Sequence, residues 1–488
     1  MSVAESPSEQ VSTAAAAYPG AGETGQLRGG RLRFFRTIAE SVGVQGPTGA
    51  VVIAAAVLAS VSGGGTALVQ LIAAVAMGFV AYAFVIFTRG FNSAGSVYGF
   101  TGAVAGPRFG FLSAWALMLV YVSFAGGIYA ATAGEAQPAF GRLGLHLPWR
   151  TYAIIAFVLV MALAYLDIKI SATVILVLEG VSILLVIIAC SIIMAKGGFH
   201  GHAFSPAPFR PDGVAPSVLG LGIVLTFSSF SGFEAASTLG EEAHQPRRWI
   251  PLAIALSLAV VAIYCIGVAT VVTNAYPSTE QLAKATVPLV TVTDRYVAGW
   301  MGELVNVGAV ISAFGAALAC AVGASRILFA LGRDAGPVML RRTSRATGAP
   351  AGALVWVGAG SLLTLLLFIK EPLATRVVAI SLTYGADLII VAYILVVIAA
   401  IIFTIRRRMS PVKTAILVIG LAVLGYVVKD TFAPFPAPPY SWDALAAGIT
   451  LLTGIVLPFV YPPLRRGIRD SPLLKAGAGA LLGTGPRQ

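Results

Sequence analysis

Residues 215–239 read APSVLGLGIVLTFSSFSGFEAASTL, and this stretch decides the fold. About 20 apolar residues rising 1.5 Å each cover the roughly 30 Å of a bilayer's hydrocarbon core, so the segment is long enough to cross. Its middle nevertheless holds Ser228, Ser229, Ser231, Gly232 and the ionisable Glu234. Serine and glycine weaken a helix there, and a carboxylate at mid-membrane depth costs about 2.5–3.5 kcal/mol even on insertion scales. Unwound backbone is tolerated at that depth only where it lines a cavity or is buried in protein. Ser228–Glu234 therefore reads as half of a substrate site.

The composition agrees with a membrane setting. Of 488 residues, 58% are hydrophobic and 11% charged, with a mean hydropathy of +0.89. Apolar runs recur at near-regular spacing, the pattern of a multispanning helical protein. Predicted spans cover about 36–62, 67–88, 109–133, 151–167, 171–195, 215–239, 251–273, 301–330, 351–369, 377–404, 412–429 and 443–461. The stretch 91–108 is too polar and glycine-rich to span, and 277–299 reads as a partly helical outer segment.

The net charge of +12 could suggest a nucleic-acid partner. Counted against the spans, however, 23 of the 32 lysines and arginines fall on one side. That is the positive-inside bias; it places both termini in the cytoplasm and makes nucleic acid unnecessary. Residues 1–30 read as a disordered cytoplasmic tail, 31–465 as the transmembrane domain and 466–488 as a second cytoplasmic tail. Cys190, Cys265 and Cys320 are scattered through apolar spans and give neither a disulfide framework nor a thiolate metal site. His200 and His202 lie close together without further ligands, so no metal is expected. Nothing calls for a cofactor.

A second interruption, Gly46-Pro47-Thr48-Gly49, breaks the first span. Five helices separate its start from that of the sixth. If helices 1–5 (about 31–196) and 6–10 (about 215–404) are repeats, an odd number of spans inverts one against the other. Matching breaks in two halves point to a midplane binding site. The expected fold is thus all-α: twelve transmembrane helices in a five-plus-five inverted repeat, helices 1 and 6 discontinuous, with two peripheral helices at about 411–463.

A small solute bearing both a carboxylate and an ammonium would need partners for each in low dielectric. The amides of Thr48, Gly49 and Ala50 and the Thr48 hydroxyl can serve the carboxylate at a helix N-terminal end, with Gly46 and Pro47 shaping the break. Carbonyls from Phe227 through Ser228 and Phe230 to Ser231 can receive the ammonium, while Phe230 and Phe233 can close over the side chain. A plain proline kink at Gly46–Gly49 is the simpler alternative. Glu234 is open to three roles: attracting a cationic group, coupling or gating, or a hydrogen-bonded packing acid. Glu179 stands alone in the fifth span, a candidate proton carrier or a structural acid. Asp387 in the tenth span could serve coupling or cap a backbone group. Glu241 and Glu242 suit a cytoplasmic gate or an exposed pair with Arg247 or Arg248.

FSSFSGFEAASTLGEEAHQPRRWIP (Phe227–Pro251) resembles the sixth-helix signature of the amino acid–polyamine–organocation superfamily. FNSAGSVYGFTGAVAGPRFGFLSAW (Phe91–Trp115) and GASRILFALGRD (Gly323–Asp334) are similar to its segments after helix two and at the end of helix eight. The resemblance covers about 31–465 and implies an amino acid permease. Two departures matter: many relatives have G-[SA]-G-[IV] at the first break, and proton-coupled relatives often carry a lysine where Glu179 falls. The expected function is secondary transport of amino acids or amines across the cell membrane by alternating access, coupled to protons. An exchanger of amino acids or polyamines is the alternative, a channel or non-transporting sensor a more distant one. No P-loop motif G-x-x-x-x-G-K-[ST] is present, and neither a nucleophile arrangement nor a metal cluster suggests an enzyme.

Overall fold

The computed structural model describes residues 26–141, 144–199, 205–210, 222, 226–227 and 229–483. Ser228, His200, His202, most of the first half of the predicted sixth span and nearly all of the N-terminal tail lie outside the described residues. What is described is helical, with one isolated bridge between Leu32 and Ala243.

In chain order the helices are α1 (Phe34–Gln45), α2 (Pro47–Ser62), α3 (Thr66–Thr88), α4 (Val97–Ala105), α5 (Pro107–Gly141), α6 (Trp149–Tyr165) and α7 (Ile168–Ala195). A 3₁₀ segment, Phe233–Leu239, precedes α8 (Pro246–Ala275), α9 (Thr279–Ala283), α10 (Pro288–Tyr296) and α11 (Gly299–Ala335). Then come α12 (Ala351–Leu367), α13 (Ala374–Arg406), α14 (Pro411–Phe432), α15 (Tyr440–Val460), α16 (Pro462–Asp470) and α17 (Pro472–Leu482). Proline opens many of them. Its fixed φ suits the first helical turn, where its missing N–H would have no intrahelical partner.

Among the described residues, eight helices are long and apolar enough to cross a membrane, and the bent pair within Phe34–Ser62 makes nine if counted as one. The predicted count of twelve is not reached by this measure. Helices α6 and α12 are apolar but only 17 residues long, and the sixth segment is interrupted.

Burial sorts the helices into a centre and a rim. Some 83% of the apolar window of α5 and 78% of that of α11 is buried, against 22% for α14 and for α15. Helix α5 packs chiefly on α11 and α13, and α11 also packs on α7. The stretch 91–108, predicted as a non-spanning connection, holds the buried helix α4. The segment 466–488, expected as a cytoplasmic tail, includes the end of α16 and all of α17; α17 packs on α4, and α16 packs on α11 and α5. The Ser471 hydroxyl caps α17 by accepting the Leu474 amide at 3.0 Å.

Candidate functional site: two helix breaks in contact

Helix α1 ends at Gly46, whose left-handed φ of 49° is a conformation glycine adopts without steric cost. Its amide closes α1 onto the Val42 and Gly43 carbonyls. Pro47 then starts α2. The second break centres on Gly232, also left-handed at φ 106°. A side chain added at Gly232 would meet Val44 Cγ1 at 2.6 Å and the Gln45 amide nitrogen at 3.1 Å. The two interruptions thus lie against each other. Ser41 ties them: its hydroxyl donates to the Phe233 carbonyl at 2.6 Å and accepts the Ala236 amide at 2.9 Å.

Fewer groups are available to a ligand than the sequence suggests. The Ala50 amide bonds to the Gly46 carbonyl at 3.1 Å, because one left-handed residue is enough for α2 to begin its own hydrogen-bond ladder. This corrects the expectation that Ala50 offers a donor. The Gly49 amide reaches the Ser312 hydroxyl at a long 3.5 Å. Thr48 is fully buried, with its hydroxyl 3.0 Å from both Ser182 Oγ and Tyr264 Oη. Ser182 donates to the Glu179 carbonyl at 3.0 Å. Each hydroxyl has one proton, so the chain runs from Tyr264 through Thr48 and Ser182 to Glu179.

Glu179 is buried on α7 and faces α11, where Ser312 Oγ lies 3.0 and 3.2 Å from its two carboxyl oxygens. Glu179 is therefore joined to the first break twice, through Ser312 to Gly49 and through Ser182 to Thr48.

Glu234 is held differently. Tyr121 donates to Oε1 at 2.7 Å; Tyr393 at 2.6 Å and the Gly232 amide at 3.0 Å both reach Oε2. Three of about four acceptor positions are thereby taken, which leaves it braced against protein. Phe227, Phe230 and Phe233 are buried, and Ser231 is buried beside them. Phe233 packs on Phe84 and Tyr393 with ring centroids 5.4 and 5.5 Å apart. Asp387, on α13, is buried with Asp443 of α15 nearby.

At the end of the bundle where α5 begins and α11 ends, the acidic pair takes partners other than those expected. Arg326 grips Glu242 through two bonds of 3.0 and 3.3 Å, and Arg333 reaches Glu241 at 2.8 Å. Both pairs are buried, so the expectation of exposed pairing with Arg247 or Arg248 is corrected. Those two arginines open α8 and point outward, whereas α11 crosses directly over the acids. The Glu242 carbonyl also accepts the Arg31 and Leu32 amides at 2.8 and 3.0 Å. Outside the bundle Asp167 pairs with Arg31 at 2.8 Å and Arg28 at 3.4 Å. Partial burial pushes its carboxyl up, but the Arg31 bond, the Lys169 amide and the two positive charges outweigh it and hold it below the usual carboxylate range.

Glu40 is an acid that sequence reading did not single out. Glu40, on α1, is fully buried, and neither carboxyl oxygen has a hydrogen-bond partner among the described residues. It lies near the Arg326–Glu242 pair and 3.7 Å from the position a side chain would take at Gly323. Tyr121, Tyr393, Ser312 and Tyr264 were also missed. A hydroxyl within an apolar span is a signal for such roles, but a weak one, since many only bond back to their own helix.

Comparison with known proteins follows the same direction. A family model described as amino acid permease matches residues 32–470. The branched-chain amino acid permease BcaP of Bacillus subtilis is 28% identical over 56% of this chain and 61% of its own length. The cationic amino acid transporter 3, mitochondrial, of Arabidopsis thaliana is 27% identical over 62% of this chain and 52% of its own. The methylthioribose transporter of Bacillus subtilis is 27% identical over 59% and 64%. The chain thus spans less than two thirds of the length of these curated relatives. In fold, it resembles the crystal structure of the Eremococcus coleocola manganese transporter, with a TM-score of 0.54 at 12% identity, over 92% of this chain and 99% of that one.

Proposed function

Because the chain belongs to the amino acid permease family, we propose that it is a secondary transporter of an amino acid or related amine, working by alternating access in the cell membrane. The reading includes a domain of twelve spans over 31–465, two inverted five-helix repeats, and both termini in the cytoplasm. One observation carries it: the left-handed Gly232 packs on Val44 and Gln45, directly before the left-handed Gly46. Two breaks in contact concentrate loose peptide groups in one place, the arrangement expected of a midplane site for a charged solute.

The amides of Thr48 and Gly49, at the start of α2, are suited to the substrate carboxylate, and the carbonyls around Phe230 and Ser231 to its ammonium. Glu234 acts as a brace that holds the second break open for binding. Glu179 is the proton carrier, since its two links to the first break would let occupancy of the site alter its surroundings. A charge crossing 100 mV releases about 2.3 kcal/mol, enough to drive accumulation. The Arg326–Glu242 and Arg333–Glu241 pairs form the cytoplasmic gate, closed in this conformation. The relatives' names direct the first assays to branched-chain and cationic amino acids.

The test is uptake of radiolabelled leucine and lysine by the purified full chain in proteoliposomes, with and without an inward proton gradient. Saturable uptake that collapses with the gradient supports the reading. Non-saturable flux, or no uptake of any amino acid or amine in a broader screen, overturns it.

A further inference from the structure

The sites so far described lie within the bundle. A separate cavity of about 750 Å³ opens where α5 begins, between that helix and α16, and four arginines line it: Arg108, Arg465, Arg466 and Arg469. Volumes of about 300–1,000 Å³ are usual for small-molecule sites. Four cations around one cavity repel each other, so the arrangement favours an anion that neutralises them.

The surroundings strengthen this. Arg469 lies beside Asp470 at 3.2 Å, whereas Arg108, Arg465 and Arg466 have no carboxylate partner among the described residues. Arg108 is held with its guanidinium 4.2 Å from the ring centroid of Phe459. Gly106, with φ 108°, and Pro107 begin α5 at the cavity wall. The first amides of that 35-residue helix lack intrahelical acceptors and carry its positive end. Helix α4 ends at the same place, but Arg406 occupies its Val104 carbonyl at 2.8 Å, offsetting the opposing negative end. Arginine guanidinium forks and free amides together are the donor set that recognises phosphate oxygens.

Position identifies the source. Phe459 stands in the last turn of α15, is 54% exposed, and abuts the arginine cluster. The cavity therefore opens where apolar helix gives way to charge, the level of lipid headgroups, and basic pockets at that level hold anionic headgroups. We propose that this pocket binds the phosphate headgroup of an anionic phospholipid and that α16 is folded against the bundle in order to build it. Bound lipid clamps α16 to α5, whose central position would transmit the effect to the transport core.

The full chain in phosphatidylcholine nanodiscs, titrated with short-chain phosphatidylglycerol and separately with inorganic phosphate, tests this through the thermal unfolding midpoint, which rises with ligand bound to the native state. The expected result is a saturable rise with phosphatidylglycerol, a much weaker one with phosphate, and affinity lowered by roughly tenfold or more in Arg465→Gln/Arg466→Gln, an arginine near an anionic surface being worth about fivefold. Arg341→Gln/Arg342→Gln, an exposed pair elsewhere on the chain, should retain wild-type affinity. Equal losses in both variants would mean general surface attraction and overturn the pocket. An equal response to phosphate would overturn the lipid assignment, and no response to either would overturn both.

Discussion

The Ser312 hydroxyl lies 3.0 and 3.2 Å from the two carboxyl oxygens of Glu179 and takes the Gly49 amide at 3.5 Å. One side chain thus stands between a buried acid of α7 and the start of α2. The Glu179→Gln variant keeps the shape and hydrogen-bonding capacity but cannot release a proton. It should abolish uptake driven by a pH gradient while sparing exchange of labelled for unlabelled substrate. Unchanged gradient-driven uptake in proteoliposomes would remove Glu179 from coupling.

Contact between the two breaks predicts a steric penalty. Gly232→Ala forces a β-carbon into a left-handed residue, at about 1–2 kcal/mol. It also crowds Val44, where overpacking typically costs about 1–3 kcal/mol. A lowered unfolding midpoint and lost substrate binding are expected, with partial recovery of the midpoint in Gly232→Ala/Val44→Ala. A midpoint equal to wild type in the single variant would show that the breaks lie further apart.

Arg326 and Glu242 are both buried and bonded through two contacts. Removing one partner leaves an uncompensated charge, so Glu242→Gln should destabilise by about 3–5 kcal/mol. Replacing both, as Arg326→Met/Glu242→Leu, should restore much of that loss, because apolar pairs of similar volume are often tolerated in such places. Chemical denaturation of the single and double variants distinguishes coupling from simple addition.

Glu40 offers the opposite case. A buried polar group without a partner costs about 1–3 kcal/mol, so Glu40→Met should raise the unfolding midpoint. Its position near the Arg326–Glu242 pair predicts a simultaneous fall in transport rate. A drop in stability would refute the view of Glu40 as a strained acid kept for function.

The Asp167 carboxyl is held low in the folded chain by Arg31, Lys169 and Arg28. Its contribution is complete above the unfolded-state value of about 3.9 and disappears as pH falls through the lower folded-state value. The arginines are more than a third exposed, so the effect should be only about 0–1 kcal/mol. Asp167→Asn should flatten the acid limb of stability against pH and leave the neutral region shifted by no more than that.

Which parts were legible in the sequence follows from the range of the forces concerned. The breaks at Gly46 and Gly232 were, because glycine, proline and serine alter the backbone where they stand. Their contact was suggested by matching positions in the two halves. The partners of Glu234 and Glu179 were not legible, since Tyr121, Tyr393 and Ser312 belong to distant helices, and only packing decides which faces meet. Arg326 and Arg333 sit two turns apart on one face of α11, a spacing able to match two acids, yet nothing local directs them to Glu241 and Glu242 in preference to the neighbouring Arg247 and Arg248. Glu40 follows Arg36 by four residues, the spacing of an ordinary solvated helix pair, so nothing local marks it as buried. The helices after residue 465 were obscured by their arginines, which read as charge bias and not as the wall of a cavity.

Residue 242 works as a rivet. Its carbonyl pins the backbone just ahead of α1, while its side chain pins α11. Three separate lengths of chain are fastened at one amino acid, so none can loosen alone. On the proposed gating role, opening from this side should therefore be all-or-nothing, with partly released forms too scarce to leak.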